Sequence, residues 1–175
     1  DNGIRVALNS PMAVVEKNTV QSAGQNGIWV SSGCGQSVVR ENTIKKYGTS
    51  GEYYGIYIYQ AGGKSAKQTT TVKGNTITGS GKSQVKHGIK VSESPYLVCE
   101  ANKITATPGN GIYIYKSKKS VISKNVIKNP KKSGIWVSTS ANSSVVSNVI
   151  KGVSNKDAIK IVDSAKTKTQ KNKVQ

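Results

Sequence analysis

Residues 111–134 read GIYIYKSKKSVISKNVIKNPKKSG. Gly111-Ile112-Tyr113-Ile114 opens the stretch, Asn125 stands past its middle, and Gly134-Ile135-Trp136-Val137 begins the same step again. The step recurs as Gly3-Ile4-Arg5-Val6, Gly27-Ile28-Trp29-Val30, Gly55-Ile56-Tyr57-Ile58, Gly88-Ile89-Lys90-Val91 and Ala158-Ile159-Lys160-Ile161. Each copy is trailed by one Asn at a nearly fixed offset: Asn18, Asn42, Asn75, Asn102, Asn125, Asn148 and Asn172. A period in the twenties is the signature of a solenoid, in which each coil packs only on its neighbours. The coils start at positions 3, 27, 55, 88, 111, 134 and 158. Four of the six intervals are nearly equal and set the basic unit, while the longer second and third intervals show that coils two and three carry insertions.

Two further columns confirm the alignment. Two residues after each Asn stand Val20, Ile44, Ile77, Ile104, Ile127, Ile150 and Val174; three residues before it stand Val15, Val39, Val72, Cys99, Ile122, Val145 and Thr169. Each coil therefore reads as three short strands: Gly-Ile-x-Val with x outward, the Val-rich run before the Asn, and the step after it. Val and Ile outnumber Leu 36 to 2 and Phe is absent, a bias that suits pleated strands. Stacked coils build three parallel sheets around a narrow aliphatic core. The Asn column is expected to take the left-handed conformation at a bend and to bond the Asn of adjacent coils. The last coil, with Thr169 in an apolar column, is expected to fray.

The repeats, with Asn18-Thr19-Val20, Asn42-Thr43-Ile44 and Asn75-Thr76-Ile77 as turns of an Asn ladder, resemble the right-handed parallel β-helix of the pectate-lyase-like superfamily over essentially the whole chain. The resemblance implies an all-β right-handed parallel β-helix of about seven coils, forming a single domain over residues 1–175. It says little about activity, because that superfamily includes lyases, hydrolases, epimerases, phage spikes and non-enzymatic surface proteins.

The net charge is +18, carried by 24 Lys and only two Arg against eight acids. The stretch from Lys116 to Gln175 holds 14 Lys but only two acids, Asp157 and Asp163. Such a surface attracts polyanions diffusely; it also keeps a solenoid soluble and blunts strand edges. Scarce Arg, the fork that reads phosphate in two places, disfavours nucleic acid as the partner. Cys34 and Cys99 fall two coils apart, too far for a disulfide, so two free thiols are expected. No signal peptide, lipidation motif or transmembrane run is read in these 175 residues, and no membrane insertion is expected. The chain opens inside a repeat without Met or a capping helix, and so reads as a segment of a longer or processed protein.

The outward residues of the first strand form one column: Arg5, Trp29, Tyr57, Lys90, Tyr113, Trp136 and Lys160, with Tyr59 and Tyr115 two residues later. Aromatic faces stack sugar rings and cations meet carboxylates, so Trp29, Tyr57, Tyr59, Lys90, Tyr113, Tyr115 and Trp136 form a candidate track for an acidic polysaccharide. Single-stranded bases would stack equally well, and β-propensity alone also places aromatics here. The inserted loops Lys45 to Tyr54, Gln60 to Thr70 and Thr78 to His87 are expected to rise beside this sheet and make a cleft, bringing in Tyr53, Tyr54 and His87. His87, the only histidine, is the candidate general base of an enzyme. Tyr57 would assist it and Lys90 would neutralise a uronate carboxylate.

Other chemistries find no residues. The carboxylates are too scattered for a calcium site, and three Asp at positions 1, 157 and 163 cannot build a paired-carboxylate hydrolase. Lys86-His87-Gly88 is only faintly similar to the Gly-His-Gly of polygalacturonases, and the Asp-Pro-His-Glu run of alginate-type epimerases is absent. One His and two separated Cys exclude a zinc cluster, and no cofactor motif is present, so no metal or cofactor is expected. The leading expectation is an extracellular or cell-surface β-helix that binds acidic polysaccharide as part of a polysaccharide-processing protein. Its rivals are a metal-independent lyase or C5-epimerase acting on uronate polymers, and a structural or adhesive solenoid without a specific ligand.

Overall fold

The computed structural model describes residues 1–49, 51, 53–79 and 87–175. Most of the inserted loop from Thr78 to His87 lies outside the described residues. Three seven-stranded parallel sheets run the length of the stack. The first comprises Ile4–Val6, Ile28–Val30, Ile56–Tyr59, Ile89–Ser92, Ile112–Tyr115, Ile135–Ser138 and Ile159–Val162. The second carries the strands before each Asn, from Val14–Glu16 to Lys168–Gln170, and the third those after it, from Thr19–Gln21 to Lys173–Val174. Strands pair without offset: Ile89 faces Ile56 and Ile112, and Ile104 faces Ile77 and Ile127. The last coil is not frayed. Its second strand pairs with Ser144–Val146 through Lys168, Thr169 and Gln170, and Thr169 is simply exposed. One helical turn, Asn155–Ala158, precedes the last first-sheet strand, and no helix among the described residues is long and apolar enough to cross a membrane.

The core is one Ile/Val column per strand. Ile28, Ile56, Ile89, Ile112 and Ile135 are wholly buried, as are Ile44, Ile77 and Ile127 on the third sheet. Each contributes about 1.5–3 kcal/mol by leaving water. The first strand approaches the third so closely that its leading Gly is obligatory. A Cβ on Gly27 would sit 2.5 Å from Ile44 Cγ2 and 2.6 Å from the Gly55 carbonyl oxygen. In the seventh coil Ala158 stands there, where no coil among the described residues presents a carbonyl against it.

The corners differ from expectation in one respect. The ladder Asn are not left-handed. The residues just before them are: Lys17, Glu41, Gly74, Ala101, Lys124, Ser147 and Lys171, with φ between 54° and 65°. The bend is taken one residue early, which frees each Asn side chain to tie coils together. Asn75 Nδ2 donates to Asn102 Oδ1 at 3.0 Å and Asn102 Nδ2 to Asn125 Oδ1 at 2.9 Å. The backbone N–H of the same donating Asn shares each oxygen, as Asn75 N does at 3.0 Å. The amides also cap strand carbonyls, Asn102 Nδ2 reaching Val72 O at 3.0 Å. A serine column supports the corner after the first sheet: Ser94 N donates to Ser117 Oγ and Ser117 N to Ser140 Oγ, both at 2.9 Å.

Both thiols are free and fully buried. Burial pushes the Cys99 thiol up to about 12, so it behaves as a small apolar filler. Cys34 belongs to the core as well, although its place after a strand reads as a turn.

Candidate functional site

Registered pairing puts the outward column of the first sheet on one wall. Arg5 faces Trp29, Trp29 faces Tyr57, and Tyr57 faces Lys90; Lys90 then faces Tyr113, Tyr113 faces Trp136, and Trp136 faces Lys160. The rings lie on each other. Trp29 and Tyr57 are stacked at 6.4 Å between centroids, and Tyr113 and Trp136 at 4.6 Å. The Arg5 guanidinium sits 4.4 Å above Trp29, and Lys160 Nζ sits 5.2 Å from the Trp136 ring. Tyr59 and Tyr115 flank the column, 5.8 Å from Tyr57 and 6.1 Å from Tyr113. All seven candidate binding residues are half-buried, so each keeps a face toward solvent.

The insertion from Lys45 to Tyr54 does what its length suggests. Tyr47 is buried beneath it in the core, while Tyr53 and Tyr54 turn to the first sheet. With Gln25, Asn26, Trp29 and Tyr57 they enclose a cleft of about 340 Å³. Trp29 Nε1 is buried and has no hydrogen-bond partner. The Gln60 to Thr70 loop leaves from the other end of the strand. There it folds on itself through a Ser65–Gln68 bridge, with Gly63 N donating to Pro95 O at 2.8 Å.

Lys90 is the hub between the two aromatic stacks. Its Nζ donates to the Tyr54 hydroxyl at 3.0 Å and lies 4.8, 5.8 and 5.6 Å from the rings of Tyr54, Tyr57 and Tyr113. Each such contact is worth about 0.5–2 kcal/mol. Burial holds the Tyr57 and Tyr113 phenols above their usual range, so both are protonated donors at neutral pH.

His87 is not an exposed side chain. It is 5% accessible, stacked on Tyr54 at 5.4 Å and edge-on to Tyr113 at 5.2 Å. Burial, followed by the charges of Lys90 and Lys132, lowers its pKa to about 3. Its Nδ1 accepts the Asn110 backbone N–H at 3.0 Å, so the neutral ring carries its hydrogen on Nε2. The contacts bring His87 and Lys90 to Tyr54 and Tyr113; the His87 ring meets these two rather than Tyr57.

That hydrogen bond belongs to a second ladder, which the sequence reading missed. The residue before each leading Gly is Asn2, Asn26, Tyr54, His87, Asn110, Ser133 or Asp157. Asn26 N donates to Asn2 Oδ1, Tyr54 N to Asn26 Oδ1, Asn110 N to His87 Nδ1, and Ser133 N to Asn110 Oδ1. The signal was available at a fixed position, but mixed occupants hid it.

Among the described residues no three His, Cys, Asp or Glu side chains converge. The geometry offers instead an aromatic wall with spaced cations and two buried indole N–H groups, Trp29 Nε1 and Trp136 Nε1, that lack partners.

No curated protein matches the chain in sequence. Among solved structures, the chain is similar to the periplasmic alginate epimerase AlgG, with a TM-score of 0.75 at 17% identity. The similarity covers 99% of this chain and 47% of that one, so the chain spans about half its length. The family described as the right handed beta helix region matches residues 2–174. With three registered parallel sheets behind that match, the chain belongs to the right-handed β-helix family.

Proposed function

We propose that the outer face of the first sheet binds an acidic polysaccharide, and that the chain is the carbohydrate-interacting part of a secreted or cell-surface polysaccharide-processing protein. One observation carries the reading: the aromatic cleft at Trp29, Tyr53, Tyr54 and Tyr57 continues through Lys90 into the Tyr113–Trp136 stack. The strand spacing of about 4.8 Å repeats the contact at every coil, which suits a polymer better than a single small molecule. The net charge of +18 favours an anionic polymer. The periplasmic setting and alginate substrate named for the structural relative agree with this reading.

The test is retention on an acidic-polysaccharide affinity gel. The wild type should be retarded, and Trp29→Ala and Trp136→Ala should each lose most of that retardation. Free migration of the wild type on every acidic polymer tried would end the proposal.

A second reading, a metal-independent uronate lyase or C5-epimerase, is supported by the fold relative and by His87 lying among Tyr54, Tyr113 and Lys90. Tyr57 would then act as a protonated donor and Lys90 would neutralise the carboxylate. His87 is the weak member of the set, because its pKa is about 3 and its Nδ1 is engaged. Polymer incubated with the protein should then gain unsaturated ends or a changed epimer ratio by NMR, and His87→Ala should abolish both. An unchanged polymer removes this reading and leaves binding intact.

A further inference from the structure

Asn110 is 1% exposed, yet its Nδ2 has no hydrogen-bond partner. The reason lies one coil below. Where Asn follows Asn in this ladder, one oxygen serves two donors: Asn2 Oδ1 accepts both the Asn26 backbone N–H at 3.2 Å and Asn26 Nδ2 at 2.9 Å. An amide oxygen has two lone pairs, whereas an imidazole nitrogen has one. His87 Nδ1 spends that lone pair on the Asn110 backbone N–H. The Asn110 carboxamide donor is therefore stranded, and a stranded buried donor is costly enough to need a reason.

Asn110 lines a cleft of about 440 Å³ with Lys131, Lys132, Trp136, Asp157 and Lys160, and its Nδ2 lies buried just behind that wall. Trp136 Nε1 is a second buried donor without a partner. Lys131, Lys132 and Lys160 take no part in the ion pairs found among the described residues, and all three are exposed. The Asp157 carboxylate already accepts the Ser154 hydroxyl. Three ammonium groups thus face one engaged carboxylate.

We propose that this cleft is an anion subsite for an acidic sugar. The oxyanion, a uronate carboxylate or a sulfate ester, accepts the Asn110 Nδ2 hydrogen. The Lys131, Lys132 and Lys160 ammonium groups compensate its charge, and the sugar ring lies against Trp136. The inference rests on the polysaccharide reading of the face and assigns a place on it where charge is recognised.

The experiment titrates ¹⁵N-labelled protein with glucuronate and, separately, with inorganic sulfate, following the Asn110 side-chain amide and the Trp136 indole N–H. A saturable shift of both signals with either anion supports the subsite, and whichever anion acts at lower concentration identifies the group. In that titration the Lys131→Ala/Lys132→Ala double variant should weaken binding by about tenfold. His87→Asn supplies the missing lone pair, so it should shift the Asn110 amide without ligand and weaken anion binding. Unmoved signals, or affinities unchanged in both variants, overturn the proposal. Tighter binding of a single-stranded oligonucleotide than of polyuronate overturns the assignment to sugar. If the anions bind here but polyuronate is retained no better than its carboxyl-reduced form, the subsite stands and the polymer reading falls. If polyuronate is retained while the signals stay fixed, the reverse holds.

Discussion

Two ladders climb this stack, and they differ in fidelity. The ladder after the second sheet is Asn in all seven coils, and its side chains bond without a gap from Asn18 to Asn172. The ladder before the first sheet holds Asn in three coils, and Tyr54, His87, Ser133 and Asp157 in the others. The uniform ladder borders nothing but core and corner. The mixed one borders the aromatic wall, and its departures fall where the clefts lie: Tyr54 forms the first, and His87 strands the Asn110 donor in the second. A solenoid tolerates a broken tie where the replacement side chain does something else.

The comparison can be broken most forcefully at Asn102. Asn102→Ala would leave the buried Asn75 amide groups, Val72 O and Asn125 Oδ1 each short of a partner. We expect a loss of about 3–5 kcal/mol in urea unfolding, with every strand still formed in the surviving fraction. A loss below about 1 kcal/mol would mean that the uniform ladder is no more structural than the mixed one.

His87→Asn probes the mixed ladder through pH. The folded-state pKa of about 3 lies below the ordinary 6.5, so the unfolded chain binds the proton more readily. The stabilisation is therefore complete above about pH 6.5 and declines as pH falls toward about 3. Across that window the wild type should lose on the order of a few kcal/mol more than the variant. Parallel curves of urea midpoint against pH would show that His87 is not held neutral by burial.

Tyr54→Asn sharpens the comparison with the smallest change in stability. It returns a ladder carboxamide to coil three, and the unfolding free energy should move by less than about 1 kcal/mol. Retention on acidic polysaccharide should fall about tenfold, because the cleft loses a wall and Lys90 its hydroxyl partner. Unaltered retention would detach the cleft from binding.

The uniform ladder, the three strands per coil and the outward column were legible because each repeats one residue type or one polarity at one offset. The corners were not, since Lys17, Glu41, Ala101 and Ser147 share a left-handed φ but no chemistry. Thr169 misled because composition suggested fraying, whereas backbone pairing to Val145 does not depend on side-chain polarity. His87 misled for a related reason. Its place before a strand at the cleft says nothing of depth, and only the fold lays Tyr54 and Tyr113 against it. The aromatic wall was visible as a column, but the stranded Asn110 donor followed from counting lone pairs in three dimensions.

Gly88, Gly111 and Gly134 are evenly spaced along the chain, and their strands pair without offset. Coil five is therefore a cassette. Excising residues 111–133 would seat Gly134 over Gly88 and Asn148 over Asn102, with both ladders in step and the groove shorter by one strand spacing of about 4.8 Å. Duplicating the same block would lengthen it equally. On the proposed reading, the span of polymer covered would then be a matter of copy number, adjustable by adding or removing repeats without redesign of any single contact.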